Sequence, residues 1–437
     1  MKKIIVLINF VLCFNFVEAQ NWVSLADATV GVEGSTLFSD SLTGKLFVGG
    51  NLVTTDGHHS YVIAAWDGSA WDTTYSFRAY DSRITSMARC QNELYTCGLF
   101  LDACYNYCDG FTRWNGNCWD SLITTYSNNL IGDLCVYNNL LYCVGIIGPI
   151  DTIYSPLAVA WNGNNFIANG LPHSGSNGSG PCCVFNNSIY IAGNFSDSLG
   201  LLYGFVKYDG TNWSMPDPGF GGLVQSMAVY NNELYIGGNN FVNSPNDFLV
   251  KWNGTTLSSV GNEFYGEAFH LRVIGDKLFA VGGIDSADGI PIHDNIAVWD
   301  GSHWSDFSND TINNAVMDVA VYNNEFYALG AFTMINGDSI GGVAKYQDWY
   351  LGEKEIKMNK GVEVYLNPTN TTLNIHLSSY APNETLLITD VLGEVIYKGT
   401  LSGIDNSIDV SMWSEGVYFY EVISTNTIAR GKFMKVN

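Results

Sequence analysis

The sequence predicts an all-β protein: a seven-bladed β-propeller whose N-terminal strand closes the last blade, followed by a small immunoglobulin-like β-sandwich. Three observations lead there. An aromatic marker recurs at Phe47, Tyr95, Tyr142, Tyr190, Tyr235, Phe279 and Tyr327, at intervals of 44 to 48 residues, and a period of that length means one supersecondary unit copied along the chain. Around each marker the chain reads as four short strands, the arithmetic of one propeller blade. The seventh unit lacks its last strand, and a matching fragment stands at the N-terminus.

The clearest copy is Val224–Phe241 with its continuation Phe248–Leu257. SMAVY, ELYIGG, FLVKW and a short Trp-containing segment are four to six residues long and rich in β-branched and aromatic side chains. Asn-Asn, Gly-Gly and Asn-Gly separate them, which is turn chemistry. Gly-Gly is expected to end the second strand. Asn-Gly is expected to close a two-residue hairpin, where both central residues need positive φ. A second aromatic marker keeps step before Asn/Asp-Gly, at Trp66, Trp114, Trp161, Tyr208, Trp252, Trp299 and Tyr346. A lone blade would leave both faces bare, so radial closure is the expected way to bury these aromatics.

Residues 1–19 read as an export signal. Lys2 and Lys3 precede the apolar run Ile4–Val17, and cleavage is expected between Ala19 and Gln20. The run is too short to span a bilayer, and no other segment approaches the ~20 apolar residues of a transmembrane helix. The propeller then occupies residues 20–349. This stretch carries 31 Asp and Glu against 10 Lys and Arg, a balance that argues against nucleic acid and anionic lipid as partners.

The fragment Asn21-Trp22-Val23-Ser24-Leu25 matches the fourth strand of a unit, as in Asn212-Trp213-Ser214. In the seventh unit Tyr346 is followed by Gln347-Asp348 and the pattern stops. The N-terminal fragment is therefore expected to complete the last blade, leaving no unpaired edge. Nine cysteines follow the signal, all between Cys90 and Cys183. Most sit at strand positions and read as small buried hydrophobes. Cys104 and Cys108 lie between second and third strands and are a candidate disulfide in an exported protein. Residues 350–360 concentrate charge and form a linker. Residues 361–437 lose the period and read as short alternating strands of a sandwich.

The propeller pattern resembles kelch and galactose-oxidase-like repeats, a likeness that covers roughly Asn21–Trp349 and speaks to architecture alone. The tail resembles the type A C-terminal sorting domain of proteins exported by the type IX secretion system. The matching stretches are Val364–Leu377 with Asn367-Pro368, Leu386–Gly403, Ile408–Ser424 and the basic final ARGKFMKVN; Leu366 stands where the family usually has proline. This resemblance implies type IX machinery as partner, with an extracellular or outer-membrane-surface destination. It also implies a host that attaches O-glycans at Asp followed by Ser or Thr and then an aliphatic residue or Thr. Eight hydroxyls satisfy that rule: Ser41, Thr73, Ser121, Thr152, Ser198, Ser286, Thr311 and Ser339. Turn chemistry alone also favours Asp-Ser and Asp-Thr.

No cofactor or metal is expected. The seven histidines lack ligand spacing, and the adjacent His58-His59 would point to opposite faces of a strand. Gly337-Asp338-Ser339-Ile340-Gly341 fits the G-x-S-x-G string of serine hydrolases, but that motif needs a strand-to-helix turn; here it reads as a loop. Asp285, Asp288 and Asp294 lack the alternation of a calcium loop. Aromatics outside the repeat positions, Tyr105, Tyr107, Tyr154, Tyr203 and Phe220, are the candidate ligand contacts, since loops carry binding in such folds. Two functions follow: a binding propeller for a glycan or a protein, or a polysaccharide hydrolase or lyase with carboxylates gathered from separate blades.

Overall fold

The computed structural model describes residues 22–436 except 26–27, 55–59, 76–82, 101, 104–105, 108–109, 124–129, 149, 151–156, 169–179, 197–201, 217–222, 240–247, 348, 350–361, 366–368, 378–383, 391–394 and 424–427. The chain forms two compact units, Met1–Trp349 and Tyr350–Asn437. The described residues are all-β, with one 3₁₀ turn at Thr73–Tyr75 and no α-helix.

The first unit contains seven antiparallel sheets built to one plan, here numbered 1 to 7 in chain order. Sheet 5 shows the plan: Leu223–Tyr230, Glu233–Asn239, Leu249–Trp252 and Leu257–Ser259, each hydrogen-bonded to the next. The first strands of the others are Ala28–Asp40, Arg83–Cys90, Leu130–Tyr137, Cys182–Phe185, Phe264–Ile274 and Val316–Tyr322. Sheet 7 takes its fourth strand from the N-terminus: Trp22 lies opposite Tyr346, Val23 opposite Lys345 and Ser24 opposite Ala344.

Hydrophobic clusters fill the spaces between consecutive sheets, and one of them joins sheet 7 to sheet 1 through Leu25, Tyr327, Leu329, Leu37, Leu46 and Trp66. First strands touch in the same order, from Ala28–Asp40 against Arg83–Cys90 round to Val316–Tyr322 against Ala28–Asp40. The repeated aromatics belong to these interfaces. The indole N–H of Trp161 in sheet 3 donates to the Tyr95 hydroxyl of sheet 2 at 3.2 Å. Trp252, Trp299 and Trp66 approach Tyr190, Tyr235 and Tyr327 in the same sense, with poorer alignment of the N–H. So four of the five marker hydroxyls face the indole of the following sheet, which explains why the unit repeats Tyr and Trp together; Tyr142 meets Tyr208 at the corresponding place.

Polar groups tie the first strands to one another at both ends. Each described first strand from sheet 2 onward, sheet 4 excepted, has a register shift near its start. In sheets 3, 5, 6 and 7 the residue after it reaches the next sheet, and in sheet 2 the bulged Thr85 does so, donating to the Ile131 carbonyl. Asp133 accepts the Cys182 N–H at 2.9 Å, Ser226 accepts Leu271 N–H at 2.9 Å, and Asp318 accepts Leu37 N–H at 2.8 Å. At the other end tyrosine hydroxyls donate to turn carbonyls: Tyr137 to Asn187, Tyr230 to Asp276 and Tyr322 to Gly44.

Two turn expectations need correction. The Asn/Asp-Gly pairs that follow the third-strand aromatic do not make two-residue hairpins: Trp66 pairs with Trp71, so the loop has four residues, 67–70. Asp67 keeps negative φ and its carboxylate accepts the N–H groups of Ser69 and Ala70, an Asx turn. Such donors, from Ala70, Asn212 and His303 above all, hold Asp67, Asp209 and Asp300 at about 2. Between first and second strands the two-residue turns with paired positive φ are instead the Asn-Asn pairs, for example Asn138 and Asn139 at 49° and 62° between the partners Tyr137 and Leu140. Nor does Gly-Gly end the second strand. Gly98, Gly145, Gly238, Gly282 and Gly330 lie within the sheets, where a Cβ would collide with a first-strand carbonyl or its neighbour, such as those of Arg83, Leu130 and Leu223. The glycine is there for close backbone approach.

The second unit has a three-stranded sheet (Val362–Tyr365, Thr372–Leu377, Asp405–Asp409) and a four-stranded one (Val395–Thr400, Thr385–Thr389, Gly416–Ile423, Ile428–Lys435). Leu373, Ile375 and Leu377 from the first meet Leu386, Ile388, Tyr420, Val422 and Phe433 from the second in one core.

Candidate functional site

The second-to-third connections of the seven sheets are the natural place to look, and those of sheets 6 and 7 are described throughout. In sheet 6 the second strand, Lys277–Ala287, runs past the sheet and turns back into Ile290–Pro291. Asp288 and Gly289 form the turn with φ of 49° and 76°, and the Asp288 carboxylate accepts Asn262 N–H. The acidic run at 285–294 is thus hairpin chemistry. In sheet 7 Met334–Ile335 and Asp338–Ser339 form the matching hairpin about Asn336-Gly337. Ser339 is exposed on a two-residue strand, without the helix a nucleophile elbow requires.

Hydrogen bonds lace the segment between sheets 6 and 7 to these hairpins. Asn336 accepts Thr311 N–H at 2.8 Å and donates to Asp310; Asn313 accepts the N–H groups of Thr333 and Met334. His293 Nδ1 pairs with the Asp306 carboxylate at 2.7 Å. This rim holds exposed Ile290, Met334, Thr311 and Ser339 on a fixed backbone.

Two buried carboxyls have displaced pKa values, in opposite directions. Asp294 is fully buried; burial first, then the charge of Asp306, pushes it well above the usual range. It accepts Ser308 N–H and Oγ–H and the Ile296 N–H, which fills its lone pairs internally. Asp318 is also fully buried, which alone would raise it. The charge and hydrogen bonds of Arg272 outweigh burial and hold it ionised, below the usual range. It accepts Arg272 Nε at 2.8 Å and the terminal guanidinium nitrogen at 2.6 Å, plus Leu37, Val319 and Thr36. Burial keeps His270 below its ordinary value despite Asp318, so it stays neutral at pH 7 and donates Nδ1–H to the Met317 carbonyl. His270 and Arg272 nonetheless keep 29% and 36% of their side-chain surface accessible. Asp318 binds sheets 6, 7 and 1 together, Asp294 ties sheet 6 to the segment that follows it, and neither is open to a substrate.

The expected contact residues are only partly brought into view. Tyr107 and Tyr203 lie on strands, Asn106–Tyr107 and Leu202–Tyr208. Tyr105, Tyr154, Phe220, Cys104, Cys108, Thr152, Ser198, Ala19 and Gln20 lie outside the described residues. Of the other hydroxyls, Ser41, Thr311 and Ser339 are exposed. Ser121 donates to Ile123, Ser286 is half-buried in the extended second strand, and Thr73 opens the 3₁₀ turn. Ser41 follows Asp40, whose carboxylate is tied to Thr43 and Arg89. The His293–Asp306 pair and the Asp318 cluster were missed in the sequence because their members come from different strands or sheets.

The outer face of the tail's four-stranded sheet carries a groove of about 480 Å³ lined by Leu387, Thr389, Phe419, Glu421 and Lys432. No described helix is long and apolar enough to cross a membrane.

Residues 363–436 match the secretion system C-terminal sorting domain family. No curated protein matches the sequence. Among solved structures, the chain is similar to PorZ of Porphyromonas gingivalis, titled an essential bacterial surface component of the type-IX secretion system. The identity is 15% and the TM-score 0.45, over 90% of this chain and 58% of that one. It is similar at 12% identity and TM-score 0.45 to the extracellular domain of a putative one component system from B. thetaiotaomicron, over 96% of this chain and 59% of that one. A puromycin-hydrolyzing peptidase of Mycobacterium tuberculosis follows at 10% and 0.46, over 81% and 59%. The chain thus spans about three-fifths of the length of each of these three.

Proposed function

We propose that this is a secreted or surface-displayed binding protein: a seven-bladed propeller in residues 20–349, fitted with an immunoglobulin-like sorting sandwich in residues 361–437. The sorting domain implies export through the type IX system to the cell surface or beyond. Support for the propeller is the closed order of sheet contacts, in which sheet 7 meets sheet 1 and borrows the N-terminal strand. Support for binding is the rim between sheets 6 and 7. It is braced by side-chain hydrogen bonds and presents Ile290 at 39% and Met334 at 44% exposure beside polar groups, the mixture that recognition surfaces use.

The ligand class proposed first is a glycan. On a glycan array the full-length protein should give a saturable hit, and the surface variants Ile290→Asp and Met334→Asp should weaken it at least about tenfold, roughly 1.4 kcal/mol. Variants that fold and bind as the parent does would remove this rim from the site. We also propose O-glycans at the exposed Thr311 and Ser339. Intact-mass measurement of protein secreted by its native host should then show a ladder above the bare mature chain that Thr311→Val and Ser339→Ala together shorten. The bare mass alone would leave these triplets as turns.

A further inference from the structure

Sheets 3 and 4 meet differently from the other interfaces. Strand register gives the comparison. In each first strand one residue stands opposite the marker aromatic: Phe38, Ala88, Cys135, Cys183, Ala228, Arg272 and Ala320. The residue before it points the other way, toward the preceding sheet: Leu37, Met87, Leu134, Cys182, Met227, Leu271 and Val319, all buried. The first residue of one sheet then meets the second of the next. Ala88 shares a cluster with Leu134, Ala228 with Leu271, and Ala320 with Leu37. In the cluster between sheets 3 and 4 the corresponding partners are Cys135 and Cys182.

At three interfaces, then, alanine faces leucine; at this one, cysteine faces cysteine. The exchange keeps the combined volume similar while replacing a methyl-to-isobutyl contact by sulfur against sulfur. The Cys182 backbone N–H is already pinned to Asp133, two residues before Cys135 on the same face. Burial above all, and then the neighbouring Cys135 thiol, pushes the Cys182 thiol well above its ordinary value. Cys183 packs into the cluster toward sheet 5 instead, so it is turned away from Cys135.

We propose that Cys135 and Cys182 form a disulfide that staples sheet 3 to sheet 4 in the exported protein. Both are thiols in the structure. Bond formation joins the two sulfurs and releases two protons and two electrons to a disulfide-bearing oxidant of the exporting compartment, whose disulfide becomes a dithiol. Burial holds the Cys182 thiol protonated once the interface has formed, so the exchange takes place while the sheets are still coming together. The inference rests on export, as the sorting domain implies.

The test uses full-length protein recovered from the culture medium, so that its presence there reports export independently of its thiol state. Free thiols are blocked in denaturant with a light alkylating agent, disulfides are then reduced, and the released thiols take a heavy one. Heavy label on both Cys135 and Cys182, with one linked peptide joining them before reduction, is the expected result. Light label on both, or linkage of either to another cysteine, overturns it. In Cys135→Ala, which installs the residue found at three equivalent positions, Cys182 should change to light label. If Cys182 stayed heavy, its partner would be a different thiol and the proposal would fail.

Discussion

Replacing Trp22 with alanine is expected to destabilise the first unit by about 3–5 kcal/mol, the range for deleting a buried aromatic. Trp22 is fully buried at the far edge of sheet 7, with ring centroids 5.0 Å from Tyr346, 6.0 Å from Phe307 and 6.2 Å from Phe326. Its strand is only three residues long, so three ladder positions and one side chain hold the N-terminus. Trp22→Phe should cost much less, about 1 kcal/mol, because the indole N–H has no hydrogen-bond partner and only part of the ring is lost. Denaturant melts of the three proteins check this. Equal small losses in both variants would show that the N-terminal strand contributes little to closure.

Asp318→Asn is expected to cost about 1.5–3 kcal/mol at neutral pH, the range for losing a hydrogen-bonded charge partner, since it takes the buried carboxylate away from a partly accessible Arg272. The cost should depend on pH in a defined direction. The folded pKa of Asp318 lies below its unfolded value near 3.8, so the unfolded state binds the proton first and stability falls with acid. The carboxylate's contribution is fully present above about 3.8 and disappears as pH falls through the folded value. His270, also lowered in the fold from 6.5, adds to the acid loss beginning below about 6.5, more so in the variant, where Asp318 no longer raises it. The stability gap between parent and Asp318→Asn should therefore narrow only at pH below about 4. A gap of constant size down to pH 2.5 would show that Asp318 is not held ionised by its neighbours.

Much of the all-β layout was legible because it is written in local residues with a long period. The markers Tyr95 and Tyr235 and the third-strand Trp161 and Trp252 fall at their expected places in the sheets. The match of residues 21–25 to a fourth strand told where the N-terminus would pair, and Trp22 does pair with Tyr346. Turn detail was less legible. Asn-Gly fits several turn types, and the choice depended on whether the Asp or Asn side chain capped the following N–H groups, as Asp67 does. The expected Gly-Gly stop failed for a related reason: a Cβ at Gly98 would meet the Arg83 carbonyl on a neighbouring strand, a constraint no short window of sequence contains.

Long-range polar partners were invisible for the same cause. Trp161 and Tyr95 are 66 residues apart, and Asp318 and Leu37 are 281 apart. Nothing in the string MDVAVY distinguishes Asp318, fully buried, from an exposed strand aspartate. Its companions Arg272 and His270 look equally ordinary until sheets 6, 7 and 1 are placed side by side. By contrast, the cysteine positions of the inner strands were readable by alignment; only their pairing required the register.

The borrowed fourth strand also fixes a timetable. Trp22 is made long before its partner Tyr346, which comes at the very end of the repeat. A chain emerging N-terminus first can form sheets 1 to 6 from neighbours in sequence, because each draws all its strands from one stretch of the repeat. Sheet 7 must wait, and the Asp318 to Leu37 bond waits with it. Such distant pairings make the last step slow relative to local hairpin formation. Until it occurs, the edge of Val343–Tyr346 and the flank of sheet 1 remain open and prone to pair with another copy. The sorting tail follows soon after in the chain, so the segment read for export and Val343–Tyr346, the strand that receives the N-terminal one, are delivered almost together.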